Sequence, residues 1–246
     1  MKAKSTPRIY YELLLIAVIV VNFTRIFVIQ AFKIPSGSMV DNLLIGDHIV
    51  VNKFVYSPAA SALFRQVFPF RTVHRGDVVI FRYPRNLSQD FIKRVVALPG
   101  ETILIRDKQI YIDGSSIREP WKVHLDPNVY EFQPDLAEPY RSRDQFGPYR
   151  IPEDSYFVLG DNRDLSHDSR YWGAVPRSLI KGRALLVYWS FAGTQLPSNS
   201  PPIERVRELF TVIVTFFEKT RWDRTFHVID SSYHYDRGSD VRPESP

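Results

Sequence analysis

Val73-His74-Arg75-Gly76-Asp77-Val78-Val79-Ile80-Phe81-Arg82-Tyr83 sets a Gly-Asp pair directly before a β-branched and aromatic run. Glycine and aspartate supply the turn, and the run that follows has the composition of a strand, so the stretch reads as turn then strand. The same grammar occurs upstream in Leu43 to Tyr56, where Gly46-Asp47 precedes His48-Ile49-Val50-Val51. Downstream, Phe91 to Leu98 reads as a strand that stops at Pro99-Gly100. Thr102 to Ile105 and Gln109 to Ile112 flank Arg106-Asp107-Lys108 as a hairpin, with Asp113-Gly114 as the next turn. Ser155 to Gly160 and Ala184 to Phe191 add two more strands, whereas residues 119–152 carry Pro120, Pro127, Pro134, Pro139, Pro148 and Pro152 and read as an irregular excursion. The pattern predicts a mostly β domain over residues 30–195.

Composition agrees and excludes several classes. Eighteen prolines, 17 Phe and 13 Tyr among 246 residues disfavour long helices and favour strands joined by turns. With 44% hydrophobic and 24% charged residues the chain is not disordered. The net charge of +5 is scattered among acids, which argues against a nucleic-acid partner. Without cysteine there is no disulfide framework, thiolate nucleophile or cysteine-based zinc site. The six histidines have no ligand-like short spacing, so no metal is expected.

Both ends differ from the middle. Leu13 to Phe23 is apolar except for Asn22, and after an interruption at Thr24 and Arg25 the apolar character continues through Ile26 to Ile29. Residues 9–29 are therefore long enough to span a bilayer, with Arg25 near the far end where its side chain can reach the interface. Lys2, Lys4 and Arg8 precede the run, which puts residues 1–8 in the cytoplasm and everything after Gln30 outside. Near the C-terminus, residues 196–202 form a Ser/Pro linker. Residues 203–221 have helical spacing with Val206, Phe210, Ile213 and Phe217 on one face. That face is expected to dock on the domain; its alternative is a membrane surface. A strand-like segment up to residue 234 and a polar tail, 235–246, complete the chain.

Three segments carry candidate chemistry. Ile34-Pro35-Ser36-Gly37-Ser38-Met39 is a tight turn able to present a serine hydroxyl and aim a backbone N–H at an oxyanion. Phe91-Ile92-Lys93-Arg94-Val95-Val96 alternates, giving Lys93 apolar neighbours that would lower its pKa toward that of a usable base. Gly160 to Gly173 (GDNRDLSHDSRYWG) is dense in hydrogen-bonding groups, as expected of a polar network behind a site.

In this order and spacing, and together with Gly46-Asp47, Arg75-Gly76-Asp77 and Arg221-Trp222-Asp223-Arg224, these segments resemble the signature boxes of bacterial type I signal peptidases. The resemblance implies an antiparallel β catalytic domain of the signal peptidase and self-cleaving repressor type behind a transmembrane helix. It implies a serine endopeptidase of the bacterial inner membrane that removes signal peptides from exported preproteins after small residues, without a cofactor. Ser38 matches the nucleophile and Lys93 the general base. Ser36 and the Ser38 N–H match the oxyanion hole, and Ser166 matches a serine orienting the base. Asp161 with Arg94 and Asp168 with Arg170 match positions supporting the loop. Ile34, Met39, Phe91 and Ile92 match the lining of shallow pockets suited to an Ala-x-Ala site. The chain departs from the family at Val40-Asp41-Asn42-Leu43, where Pro-Thr-Leu is usual in the last three positions.

Three alternatives compete. A histidine base would have to be His167, the one histidine in a candidate segment. A self-cleaving repressor would carry a DNA-binding domain in place of the apolar N-terminus. An inactive membrane-tethered β module that binds secreted proteins would not need both Ser38 and Lys93.

Overall fold

The computed structural model describes residues 6–23, 29–53, 55–56, 71–133, 135, 137–138, 140–193 and 200–231. The opening stretch forms β3 (Val78–Tyr83), in the middle of the larger sheet. Its neighbours in chain order are β1 (Ile29–Lys33), β2 (Asp47–Asn52) and β4 (Asn86–Ala97). The hairpin strands follow as β5 (Thr102–Arg106), β6 (Gln109–Ile112) and β7 (Ser115–Ser116). Then come β8 (Phe146–Arg150), β9 (Ser155–Leu159), β10 (Val175–Pro176), β11 (Ile180–Ser190) and β12 (His227–Val228).

Among the described residues the larger sheet runs β1-β2-β11-β3-β4-β9-β10 with β12 beside β11, and the smaller runs β7-β6-β5-β8. All paired strands are antiparallel, and Val79 faces Lys93 across β3 and β4. Both Gly-Asp starts need glycine, since Gly46 (φ 91°) and Gly76 (φ 89°) lie in the left-handed region. Their aspartates do more than turn the chain. Asp47 is buried against Ser190 and Arg224, and Asp77 against Tyr56 and Arg71.

Apolar packing on the two faces of the large sheet is separate. Ile49, Val51, Val78, Ile80 and Ile92 build one cluster with Ile34, Met39 and Leu43, while Val79, Phe81, Val95 and Val158 build another. A third cluster, including Ile103, Ile110, Phe157 and Leu159, joins the small sheet to the end of β4 and to β9.

Two strand expectations need correction. The excursion 119–152 contains β8, in which Pro148 hid the strand signal. Pro148 is tolerated because β8 is an edge strand and its pairing with β5 shifts register between Ile103 and Ile105. It also contains a short helix, α2 (Tyr140–Arg143). The strand expected at Ala184 begins at Ile180, because Lys181-Gly182-Arg183 broke the alternation.

At the N-terminus α1 spans Thr6–Phe23. No helix among the described residues is long and apolar enough to cross a membrane. Of the expected span 9–29, residues 24–28 lie outside the described residues and Ile29 heads β1, so the upper limit of the apolar helix was set too far along the chain. Residues 1–5, 194–199 of the linker region and the tail 235–246 lie outside the described residues as well.

A one-turn helix α3 (Ser169–Trp172) closes the polar loop, and the C-terminal segment forms α4 (Pro202–Val214) and α5 (Phe216–Lys219). The expected docking of its apolar face is overturned: Val206, Phe210, Ile213 and Phe217 are 63 to 79% exposed.

Candidate active site

Residues Gly37–Met39 form a single 3-10 turn between β1 and β2. The turn is held at both ends: Ile34 N–H donates to Asp47 O at 2.8 Å and Leu43 N–H to Met39 O at 2.8 Å. From the far side Asn162 clamps it, its N–H donating to Ser38 O (3.2 Å) and its Nδ2 to Gly37 O (3.3 Å). Ser38 is thereby buried in a fixed pose, while Ser36 stays exposed with its Oγ 3.5 Å from Ser38 Oγ.

Lys93 comes from β4, in the middle of the sheet. Its Nζ lies 2.7 Å from Ser38 Oγ and 3.0 Å from the Ile92 carbonyl, 5.7 Å from the Phe91 ring centroid, and the residue is 4% exposed. Burial strips hydration from the ammonium and lowers the pKa from 10.5 to about 8, although the carboxylates of Asp168 and Asp161 pull it upward. A substantial fraction of Lys93 is therefore neutral in mildly alkaline solution, within hydrogen-bond reach of a serine hydroxyl.

The polar loop is fixed behind this pair. Arg94 donates through Nε and Nη2 to the two oxygens of Asp161, each at 2.8 Å, and through Nη1 to the carbonyls of Gly76 and Asp230. Its guanidinium also stacks 4.3 Å from the Trp121 ring. Arg170 forms the same fork on Asp168, at 2.9 Å twice, and donates to the Arg143 and Arg163 carbonyls. Burial alone would raise the Asp168 carboxyl, but the charge and hydrogen bonds of Arg170 outweigh it and hold the group below the usual carboxylate range. Asp168 Oδ2 also accepts from Gly160 N–H at 3.1 Å. Gly160 must lack a side chain, since a Cβ there would meet Ser166 and come within 2.5 Å of the Ser38 carbonyl.

Ser166 is buried beside Gly160 with its Oγ against the Asp168 carboxylate, which it helps to hold low, and it makes no hydrogen bond to Lys93, so the contact implied by the resemblance is not formed in this state. Ile34 and Met39 are 2% and 0% exposed and sit with Ile92 in the sheet core rather than on an open wall. Phe91, stacked on Tyr83 at 4.5 Å, is the member of that group that reaches the surface. His167 is exposed, stacked on Tyr171, with Nε2 3.3 Å from Tyr83 OH rather than beside Ser38.

Several supporting contacts were not foreseen from sequence, and Glu119 was not singled out at all. Asn42 donates to Asp161 Oδ2 at 2.8 Å, Arg163 pairs with Glu119, and Arg224 joins Asp47 Oδ2 (2.7 Å) to the Asn42 carbonyl. Each contact spans tens of residues, and a lone Asn or Glu carries no local signal of it.

A β scaffold that buries a lysine against a turn-borne serine is an arrangement able to activate a serine hydroxyl. The comparisons name the family. The sequence model described as "Signal peptidase, peptidase S26" matches residues 8–189. A signal peptidase I of Pseudomonas aeruginosa is 37% identical over 211 residues, covering 76% of this chain and 74% of its own. One of Aquifex aeolicus is 31% identical over 252 residues, covering 82% and 92%. A crystal structure of a signal peptidase I from Enterococcus faecalis V583 is 37% identical, covering 46% of this chain and 97% of its own, with a TM-score of 0.35. The chain belongs to the signal peptidase family, peptidase S26, and is a serine peptidase.

Proposed function

We propose that this chain is a membrane-tethered endopeptidase that removes signal peptides from exported preproteins after Ala-x-Ala-type sites, with Ser38 as nucleophile and Lys93 as general base. The observation that carries the reading is the 2.7 Å separation of Lys93 Nζ and Ser38 Oγ at a lysine whose pKa burial brings down to about 8. Relatives named signal peptidase I support the substrate class.

In the reaction, neutral Lys93 takes the Ser38 proton while Oγ attacks the scissile carbonyl carbon. The oxyanion is received by the Ser38 N–H and the Ser36 hydroxyl. The Lys93 ammonium then gives its proton to the leaving amine, and the C–N bond breaks to leave an acyl-Ser38. Water, deprotonated by the same lysine, attacks that ester and restores the serine. Ser166 Oγ, which lies against Asp168 in this state, turns to Lys93 once the proton has moved. Arg94–Asp161 and Arg170–Asp168 keep the loop against β4. Phe91 and Ile92 border the small-residue pockets, with Ile34 and Met39 behind them.

The tether is the apolar run beginning at Ile9, whose side chains from Leu13 to Val21 have no cover from the domain. A substrate held in the same bilayer is delivered to Ser38, which lies nine residues after Ile29, at raised effective concentration. The test is cleavage of a preprotein in lipid by the wild type and Ser38→Ala, with the new N-terminus sequenced. Cleavage after Ala-x-Ala that vanishes in the variant supports the reading. Retention of cleavage by Ser38→Ala rejects it.

A further inference from the structure

The C-terminal helices meet the domain with the side opposite to the one expected. The partly covered positions are Glu208, Val212, Thr215, Phe216 and Lys219, which follow one another at helical spacing. Glu208 Oε1 pairs with Lys33 Nζ at 3.5 Å, the Phe216 ring lies 5.9 Å from Trp189, and Lys219 O accepts from Ala192 N–H at 2.8 Å. The apolar arc of Ile203, Val206, Phe210, Ile213 and Phe217 is left facing outward. Trp222 and Phe226, 52% and 74% exposed, extend it along the chain. A contiguous apolar surface of this kind marks an interaction site on a soluble domain.

We infer that this outward face of α4 and α5 lies in the interfacial layer of a lipid bilayer, giving the catalytic domain a second contact with the membrane that holds its N-terminus. The occupant follows from position and charge. Lys33, the partner of Glu208, ends β1, and β1 starts six backbone steps after α1 ends at Phe23. Those steps reach at most about 20 Å, so one bilayer is within reach of both elements. Residues 202–219 balance Glu204, Glu208 and Glu218 against Arg205, Arg207 and Lys219, so the contact is driven by apolar and aromatic area and not by anionic headgroups. Two contacts fix the tilt of the domain, and with it the height of Ser38 above the bilayer.

The inference rests on the tethered reading above, and its test keeps the two apart. The chain has no cysteine, so Phe210→Cys and Glu204→Cys each give a single site for an environment-sensitive dye on the full-length protein. The labelled proteins are reconstituted into phosphatidylcholine vesicles, floated, and exposed to lipids spin-labelled near the headgroup. The expected result is flotation of both, with blue-shifted and quenched emission at Phe210→Cys alone, unchanged when phosphatidylglycerol replaces part of the lipid. Failure to float overturns tether and docking together. Flotation with an unshifted, unquenched Phe210→Cys label overturns the docking alone. Thiol crosslinking between chains at Phe210→Cys in place of lipid quenching assigns the face to a second copy and also overturns it.

Discussion

Arg94 and Asp161 grip each other through two 2.8 Å bonds while both side chains are sealed from solvent, at 1% and 0% exposure. Arg94 follows the lysine of the site in β4, and Asp161 precedes Asn162, which clamps the turn bearing Ser38. One ion pair thus ties the strand carrying Lys93 to the loop that fixes Ser38. Removing one partner leaves a buried charge uncompensated. Asp161→Ala is expected to cost about 3–5 kcal/mol in denaturant unfolding, with loss of cleavage. A cost below about 1 kcal/mol would mean that the Arg94 charge is compensated without Asp161, against this reading.

Gly160 is expected to tolerate no side chain. In Gly160→Ala the added methyl meets Ser166 and the Ser38 carbonyl, so turnover should drop by at least about tenfold from misplacement of Ser38, the proposed nucleophile. Steady-state kinetics on a preprotein measure it, and wild-type kcat would show that the loop relaxes without cost.

Ser166 offers a cleaner separation of structure from chemistry. Its buried hydroxyl makes only a weak contact, to the Asp168 carboxylate that Arg170 already satisfies, so Ser166→Ala should change the melting temperature little. A fall in kcat is expected, because the hydroxyl is the proposed partner of Lys93 during turnover. Calorimetry and kinetics on the one variant decide it; unaltered kcat removes Ser166 from the reaction.

Lys93 should be costly to stability. Its folded pKa of about 8 lies below the ordinary 10.5, so between those values the unfolded chain binds more protons and wild-type stability rises with pH. Below about pH 8 the full penalty applies, of order 3 kcal/mol at about 1.4 kcal/mol per pKa unit. Lys93→Met should therefore unfold later than wild type at pH 7, with the gap closing toward pH 10.5. A less stable Lys93→Met at pH 7 would contradict the burial cost.

Much of this site was legible because its parts are local in sequence. Ser38 sits in a Ser-Gly-Ser turn, Lys93 in an alternating strand and Asp161 to Arg170 in one loop, so type and spacing carried the pattern. Residues whose role arises only from distant partners left little trace: Trp121 and Glu119 were not singled out, and Asn42 stood out only as a departure from the family pattern. Pro148 concealed β8 because proline is penalised in strands generally and permitted at an edge. The amphipathic spacing of 203–221 gave the helix correctly, but periodicity fixes which residues share a face and not which way that face looks.

The most direct test of the central claim is the pH dependence of kcat/KM for preprotein cleavage in lipid. With Lys93 as base, the rate falls about tenfold per pH unit below about 8, the value that its burial sets, because protonation removes the lone pair that receives the Ser38 proton. A profile that stays flat to pH 6, or an acid limb in that region abolished by His167→Gln, would contradict it.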